Sequence, residues 1–157
     1  MISNITTENA SGLAISPMWT VRGLVSLLGA NEDRVLQFIK LGKILWAWDL
    51  GLGIRNREVR VLPRAVEHFQ SGNECALSWE DIQQMLAPET IGAQPGVIAT
   101  VSSLHIQQTC NLSGSHVAAL GEARQLDIIR PGRPGAGGSA AISANSFWQF
   151  LKKRRLR

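Results

Sequence analysis

An internal repeat is the feature that most restricts how this chain can fold. Residues 20–70 and 102–155 carry the same succession of apolar positions. A shift of 82 lays Leu24 on Ile106, Leu28 on Cys110, Ala30 on Leu112, Asn31 on Ser113, Val35 on Val117, Phe38 on Leu120 and Ile44 on Leu126. After a one-residue change the shift becomes 81, and Val61, Val66 and Phe69 fall on Ile142, Phe147 and Phe150. So long a period lies outside the roughly 20–50 residues of solenoid repeats, so the chain reads as two copies of one small domain.

The first copy supplies the element order. Val21, Leu24 and Leu28 share a helical face; Gly29-Ala30-Asn31 is a turn with Asn31 as the next N-cap. Val35, Phe38 and Ile39 form a second apolar stripe, closed by Gly42. Two helices joined by about three residues make a helix-turn-helix. Residues 44–48 and 58–62 then alternate as a hairpin around a Gly-rich loop, and Pro63 opens a last helix through Phe69. The expected fold is mainly α with small β-hairpin wings (α+β), as two winged helix-turn-helix domains in tandem. The expected divisions are a flexible leader at 1–16, copy one at 17–72, an acidic linker at 73–100, and copy two with a basic tail at 101–157. In the linker, Ser78 to Asp81 resembles a capping box opening a short helix with Ile82, Met85 and Leu86 on one face.

The strings TVRGLVSLLGAN and IKLGKI in copy one, and SSLHIQQTCNLSGSHV and ANSFWQFLKKRR in copy two, resemble the excisionase-like and MerR-like winged helix-turn-helix superfamily. The resemblance covers about residues 19–70 and 101–155. It implies that the second helix of each copy enters the DNA major groove while the wing touches backbone or minor groove. The chain carries no long coiled-coil helix or effector domain of the MerR kind, so no small-molecule effector is expected.

Charge is segregated along the chain. Residues 1–64 hold eight Lys/Arg and five Asp/Glu, residues 65–123 hold six acids and no Lys or Arg, and residues 124–157 hold eight Lys/Arg and one acid. Two basic regions about an acidic middle suit a polyanion-binding protein. There is no apolar run of about 18 residues and no basic-then-apolar signal peptide at the start. With only two cysteines, a reduced, cytoplasmic and nucleoid-associated protein is expected.

Candidate DNA contacts follow from these faces. In copy one they are Arg34, Gln37 and Lys40 on the second helix, with Arg55, Arg57 and Arg60 in the wing. Glu32 and Asp33 suit the dipole at that helix start but repel phosphate, leaving copy one open between DNA reader and protein-contact domain. In copy two, Ser113, Ser115, His116 and Ala119 offer small or hydrogen-bonding groups that let a helix approach base edges, which makes copy two the expected reader. Arg124, Arg130 and Arg133 add charge, and Gly132-Arg133-Pro134 resembles the core of an AT-hook. Lys152, Lys153, Arg154 and Arg155 extend the last helix in a tail, 152–157, suited to phosphate contacts.

Of Trp46 and Trp48, alternation along a strand places one inward and the other outward, where it would mark a protein interface. Cys110 aligns with Leu28 and reads as a buried hydrophobe. The cysteines and the three histidines lack zinc spacing, and no catalytic triad, acid pair or phosphate loop stands in a supporting context, so no metal, cofactor or enzymatic activity is expected. The expected function is sequence-selective binding of double-stranded DNA, as a small transcriptional regulator or an excisionase-like factor of a mobile element. The alternative is a protein-interaction adaptor. A homo-oligomer or protein partner would dock through copy one or the acidic linker.

Overall fold

Thr20 and Ser102 stand at matching places in the two copies, and each caps a helix. Their side-chain oxygens accept the backbone N–H of Gly23 and His105, both at 3.0 Å. The computed structural model describes residues 7–8, 14–53, 55–90, 96–132 and 139–157. Among them the chain is α+β. Short strands β1 (Thr7–Glu8) and β2 (Ala14–Ile15) pair antiparallel within the expected leader, whose other residues through 13 lie outside the described set. Unit one comprises β3 (Trp19–Thr20), α1 (Val21–Leu28), α2 (Glu32–Lys40), β4 (Ala47–Asp49), β5 (Val59–Val61) and α3 (Pro63–Ser71). Helix α4 (Trp79–Leu86) follows. Unit two repeats the order with β6 (Thr100–Ser102), α5 (Ser103–Cys110), α6 (Gly114–Glu122), β7 (Ile128–Arg130), β8 (Ala141–Ser143) and α7 (Ala144–Arg154). No described helix is long and apolar enough to cross a membrane.

The repeat extends to individual backbone hydrogen bonds. Helices α1 and α5 end on left-handed residues, Gly29 at φ 64° and Asn111 at φ 55°. Helices α2 and α6 are followed by a second left-handed pair, Gly42 and Arg124. There the N–H groups of Lys43 and Ile44 both return to the Phe38 carbonyl, as those of Gln125 and Leu126 do to Leu120. Both sheets are antiparallel with the last strand central, β3-β5-β4 and β6-β8-β7. Trp19 faces Val61 while Val101 faces Ile142, so the shift drops from 82 to 81 between the strands.

The first strand is shorter than expected. Residues 43 and 44 direct their N–H groups to the end of α2, and Trp46 adopts a left-handed φ of 57°, so the ladder begins only at Ala47. The same kink breaks the inward–outward alternation expected of the tryptophans. Trp46 and Trp48 are 4% and 0% exposed, so neither marks an open surface.

The two units share a core rather than lying apart along the chain. Ala47, Val59 and Val61 turn toward the helices of unit one, joining Leu24, Val35, Ile39, Ile44 and Val66. On the opposite sheet face Trp48 pairs across the strands with Arg60, and both look toward unit two. A continuous core then runs from Met18, Trp48 and Leu62 through Ile82 and Leu86 of α4 to Ile106, Leu120 and Phe147. Met85, expected on the buried face of α4, is instead exposed. Burial of sheet one on both faces makes each unit part of the other's apolar environment.

Candidate nucleic-acid interface

Helix α2 begins at Asn31, whose side chain accepts the Arg34 N–H at 2.8 Å. Burial of Val35 and Ile39 turns Glu32, Asp33, Arg34, Gln37 and Lys40 to solvent. Arg34 lies over the Phe38 ring, 5.0 Å from its centroid, which holds the guanidinium along the helix. The hairpin of β4 and β5 brings Arg57 beside the helix. Its Nε is 3.2 Å from the Asp49 carboxylate. Burial alone would raise the Asp49 carboxyl, but the N–H groups of Gly51 and Glu58, together with Arg57, hold it below its ordinary value. Gly51 is obligatory here, because a Cβ would sit 1.8 Å from the Asn56 carbonyl oxygen across the loop. Arg55 is exposed at the loop.

Arg60 departs from its expected role as a wing contact. It is 8% exposed and points into the seam between units. Its Nε donates to the carbonyls of Cys110 (3.1 Å) and Asn111 (3.2 Å), its Nη2 to Asn111 (2.9 Å) and its Nη1 to Val59 (3.0 Å). Those bonds spend the guanidinium on the seam rather than on the outer face of the hairpin.

Two clefts run along α2, with Leu36 and Arg57 lining both. One, of about 460 Å³, is bordered by Arg22, Glu32 and Glu58 and so mixes its charges. The other, of about 270 Å³, is lined by Leu36, Ile39, Lys40, Arg57, Leu156 and Arg157, with no Asp or Glu side chain in its wall.

The last two residues reach that cleft because the tail does not continue as a helix. Helix α7 ends at Arg154, Arg155 is extended (φ −68°, ψ 127°), and Arg155 forms a single antiparallel bridge to Trp48 on β4. Ala47 N–H donates to the Arg157 carbonyl at 3.0 Å, and Leu156 N–H to that of Ala47 at 2.7 Å. The Arg157 side chain then donates through Nε and Nη2 to the Lys40 carbonyl at the end of α2, at 3.1 and 2.8 Å. The tail charges thus differ from the free helical extension expected. Arg155 lies 3.6 Å over Trp46, Lys152 5.4 Å over Trp79, and Arg154 5.4 Å over Phe150. Desolvation on Trp46 lowers the Arg155 pKa, with Cys75 opposing. The sequence placed Arg157 in the basic tail, but as part of a helical extension; its return to the end of α2 had no sequence signal beyond the apolar Leu156 interrupting the basic run.

The face of α6 is turned one step from expectation. Ser113 caps it, accepting the His116 N–H at 3.1 Å, and Ser113, Gly114 and Ser115 are exposed. His116 is half-buried, and its Nε2 donates to the Leu50 carbonyl of unit one at 2.7 Å. Ala119 is half-buried too, so the outward row is Ser115, Ala118 and Glu122. His116 is thus held by unit one and Arg60 binds the backbone at the end of α5, while Ser113, Gly114, Ser115 and Ala118 stay in solvent. Arg124 and Arg130 are exposed; Arg133 and its AT-hook-like surroundings lie outside the described residues. Cys110 is fully buried, and that burial, opposed by Arg60, pushes its thiol up to about 12. No protein-family model matches this chain, and neither does a curated protein or a solved structure.

Proposed function

We propose that the chain binds double-stranded DNA through two winged helix-turn-helix units docked as one body, in the manner of the excisionase-like and MerR-like superfamily it resembles. The observation that carries this reading is the doubled order of helix, short turn, capped helix and hairpin, with Glu32, Asp33 and Arg34 of α2 and Gly114 and Ser115 of α6 in solvent. Exposed Arg34, Lys40, Arg55, Arg57, Arg124 and Arg130 supply phosphate partners around those helices. Between the two units, α2 is the stronger reader, since Arg34, Gln37 and Lys40 are all exposed on it whereas His116 is engaged in α6. The role would be transcriptional regulation or an architectural part in recombination of a mobile element, in a cytoplasmic, nucleoid-associated setting. No catalytic role is proposed. The test is selection of genomic fragments by the purified protein, followed by titration of a selected and a random duplex at two salt concentrations. Tight, salt-sensitive binding with preference for the selected site is expected; absence of duplex binding at low salt overturns the reading.

A second reading, protein docking, draws on one contrast. Strand β4 is covered by the tail, whereas its counterpart β7 presents Ile128, Ile129 and Arg130 exposed at a sheet edge. Such edges accept added strands. Loss of a co-purifying partner on Ile129→Lys, with DNA binding intact, would favour it.

A further inference from the structure

We propose that the cleft at the end of α2, which no Asp or Glu side chain lines, is a phosphate-binding site formed by Lys40, Arg57 and Arg157. Resting on the DNA-binding reading, the ligand is a phosphodiester of the duplex backbone; free phosphate is the other source of the same chemistry. Three cations from segments far apart in sequence meet there, on a floor of Leu36 and Ile39. Their convergence is built by the backbone. Arg157 arrives because the last residues leave the helix and pair with β4, and Arg57 is oriented by its bond to Asp49. Neighbouring Glu32 and Glu58 wall only the adjoining cleft, so a polyanion lying along α2 meets repulsion at the helix start and attraction at its end. A helix C-terminus by itself disfavours anions. Here the Lys40 carbonyl is already satisfied by Arg157, which leaves the cationic side chains to dominate. A cleft of about 270 Å³ admits a tetrahedral phosphate with some water, and the Nη hydrogens that Arg57 and Arg157 do not spend on Asp49 and Lys40 can donate to its oxygens.

The test uses the full chain with Lys40→Gln, Arg57→Gln and Arg157→Gln, singly and together, and Arg64→Gln as a surface-charge control. Binding to selected and random duplexes should weaken alike. In the triple variant the affinity loss between about 50 and 200 mM salt should shrink about three- to fourfold, as expected for one phosphate contact at a slope of about 0.9. Thermal melting separates a structural role. Arg157→Gln lowers the melting temperature by uncapping α2, whereas Lys40→Gln and Arg57→Gln weaken binding without a matching loss. Wild-type binding with unchanged affinity and salt slope in the triple variant overturns the phosphate site and leaves the DNA reading intact. Failure of the wild type to bind duplex overturns the DNA reading instead. In that case inorganic pyrophosphate is titrated while the backbone amide resonances are followed. Shifts centred on Lys40, Leu156 and Arg157 and lost in the triple variant support the site with free phosphate as its ligand, and a flat titration overturns it.

Discussion

The Arg60 guanidinium donates to the Asn111 carbonyl at 2.9 Å, joining the central strand of unit one to the left-handed residue that ends α5 of unit two. The guanidinium lies in a seam that also contains Trp48 and Cys110, where the Cys110 carbonyl that it also binds has little access to water. Truncation as Arg60→Ala leaves the carbonyls of Cys110 and Asn111 without this donor and should cost about 2–4 kcal/mol. Urea unfolding followed by tryptophan fluorescence should give one transition for the wild type, shifted to lower urea in the variant. Two separated wild-type transitions would show that the units fold independently.

Chemical reactivity should distinguish the cysteines. Burial keeps the Cys110 thiol protonated up to about 12 against an ordinary 9.0, while Cys75 is only half-buried. In native protein a disulfide reagent should modify Cys75 quickly and Cys110 only after unfolding. Because the folded thiol holds its proton longer than the unfolded one, the Cys110 contribution to stability is complete below about pH 9 and declines as pH rises toward 12. Cys110→Ala should flatten that alkaline decline in denaturation measured from pH 8 to 11.

Base reading should follow α2. Arg34→Ala and Gln37→Ala should each cost about 1–3 kcal/mol on a selected duplex and less on a random one. His116→Ala should lower thermal stability by about 1 kcal/mol through loss of its bond to Leu50, with the selected-to-random ratio unchanged. If His116→Ala removes selectivity and the α2 variants do not, unit two is the reader.

Arg124 occupies the left-handed position that Gly42 holds in unit one, at φ 59°. A side chain there costs about 1–2 kcal/mol relative to the right-handed region. Arg124→Gly should therefore raise stability, by about 0.5–1 kcal/mol once the greater freedom of unfolded glycine is counted. If DNA affinity falls as stability rises, the arginine is kept for its charge rather than for the fold.

Much of the local structure was legible in the residues. Asn31 is a cap whose oxygen needs only the next turn of its own helix, and Gly29 and Gly42 end helices through their own backbone freedom, whereas the caps at Thr20 and Ser102 emerged from the structure. The repeat was legible because buried positions such as Leu24 and Ile106, or Val35 and Val117, fill equivalent places inside each unit. The interface was not. Arg60, His116 and Trp46 each sit in a local sequence that suits exposure, and each is covered by something far along the chain. Arg60 meets Asn111, His116 meets Leu50, and Trp46 lies beneath Arg155.

The amino-acid sequence by itself determined the helices, their caps, the order of elements and the one-residue difference between the wings, because periodicity and capping act within a few residues. Only the tertiary structure decided which face of each unit is open. Docking buries sheet one on both sides, turns His116 inward, and carries Arg157 from the far end of the chain to the end of α2. Those outcomes depend on which apolar surfaces meet, and the apolar driving force has no direction that a local pattern could encode.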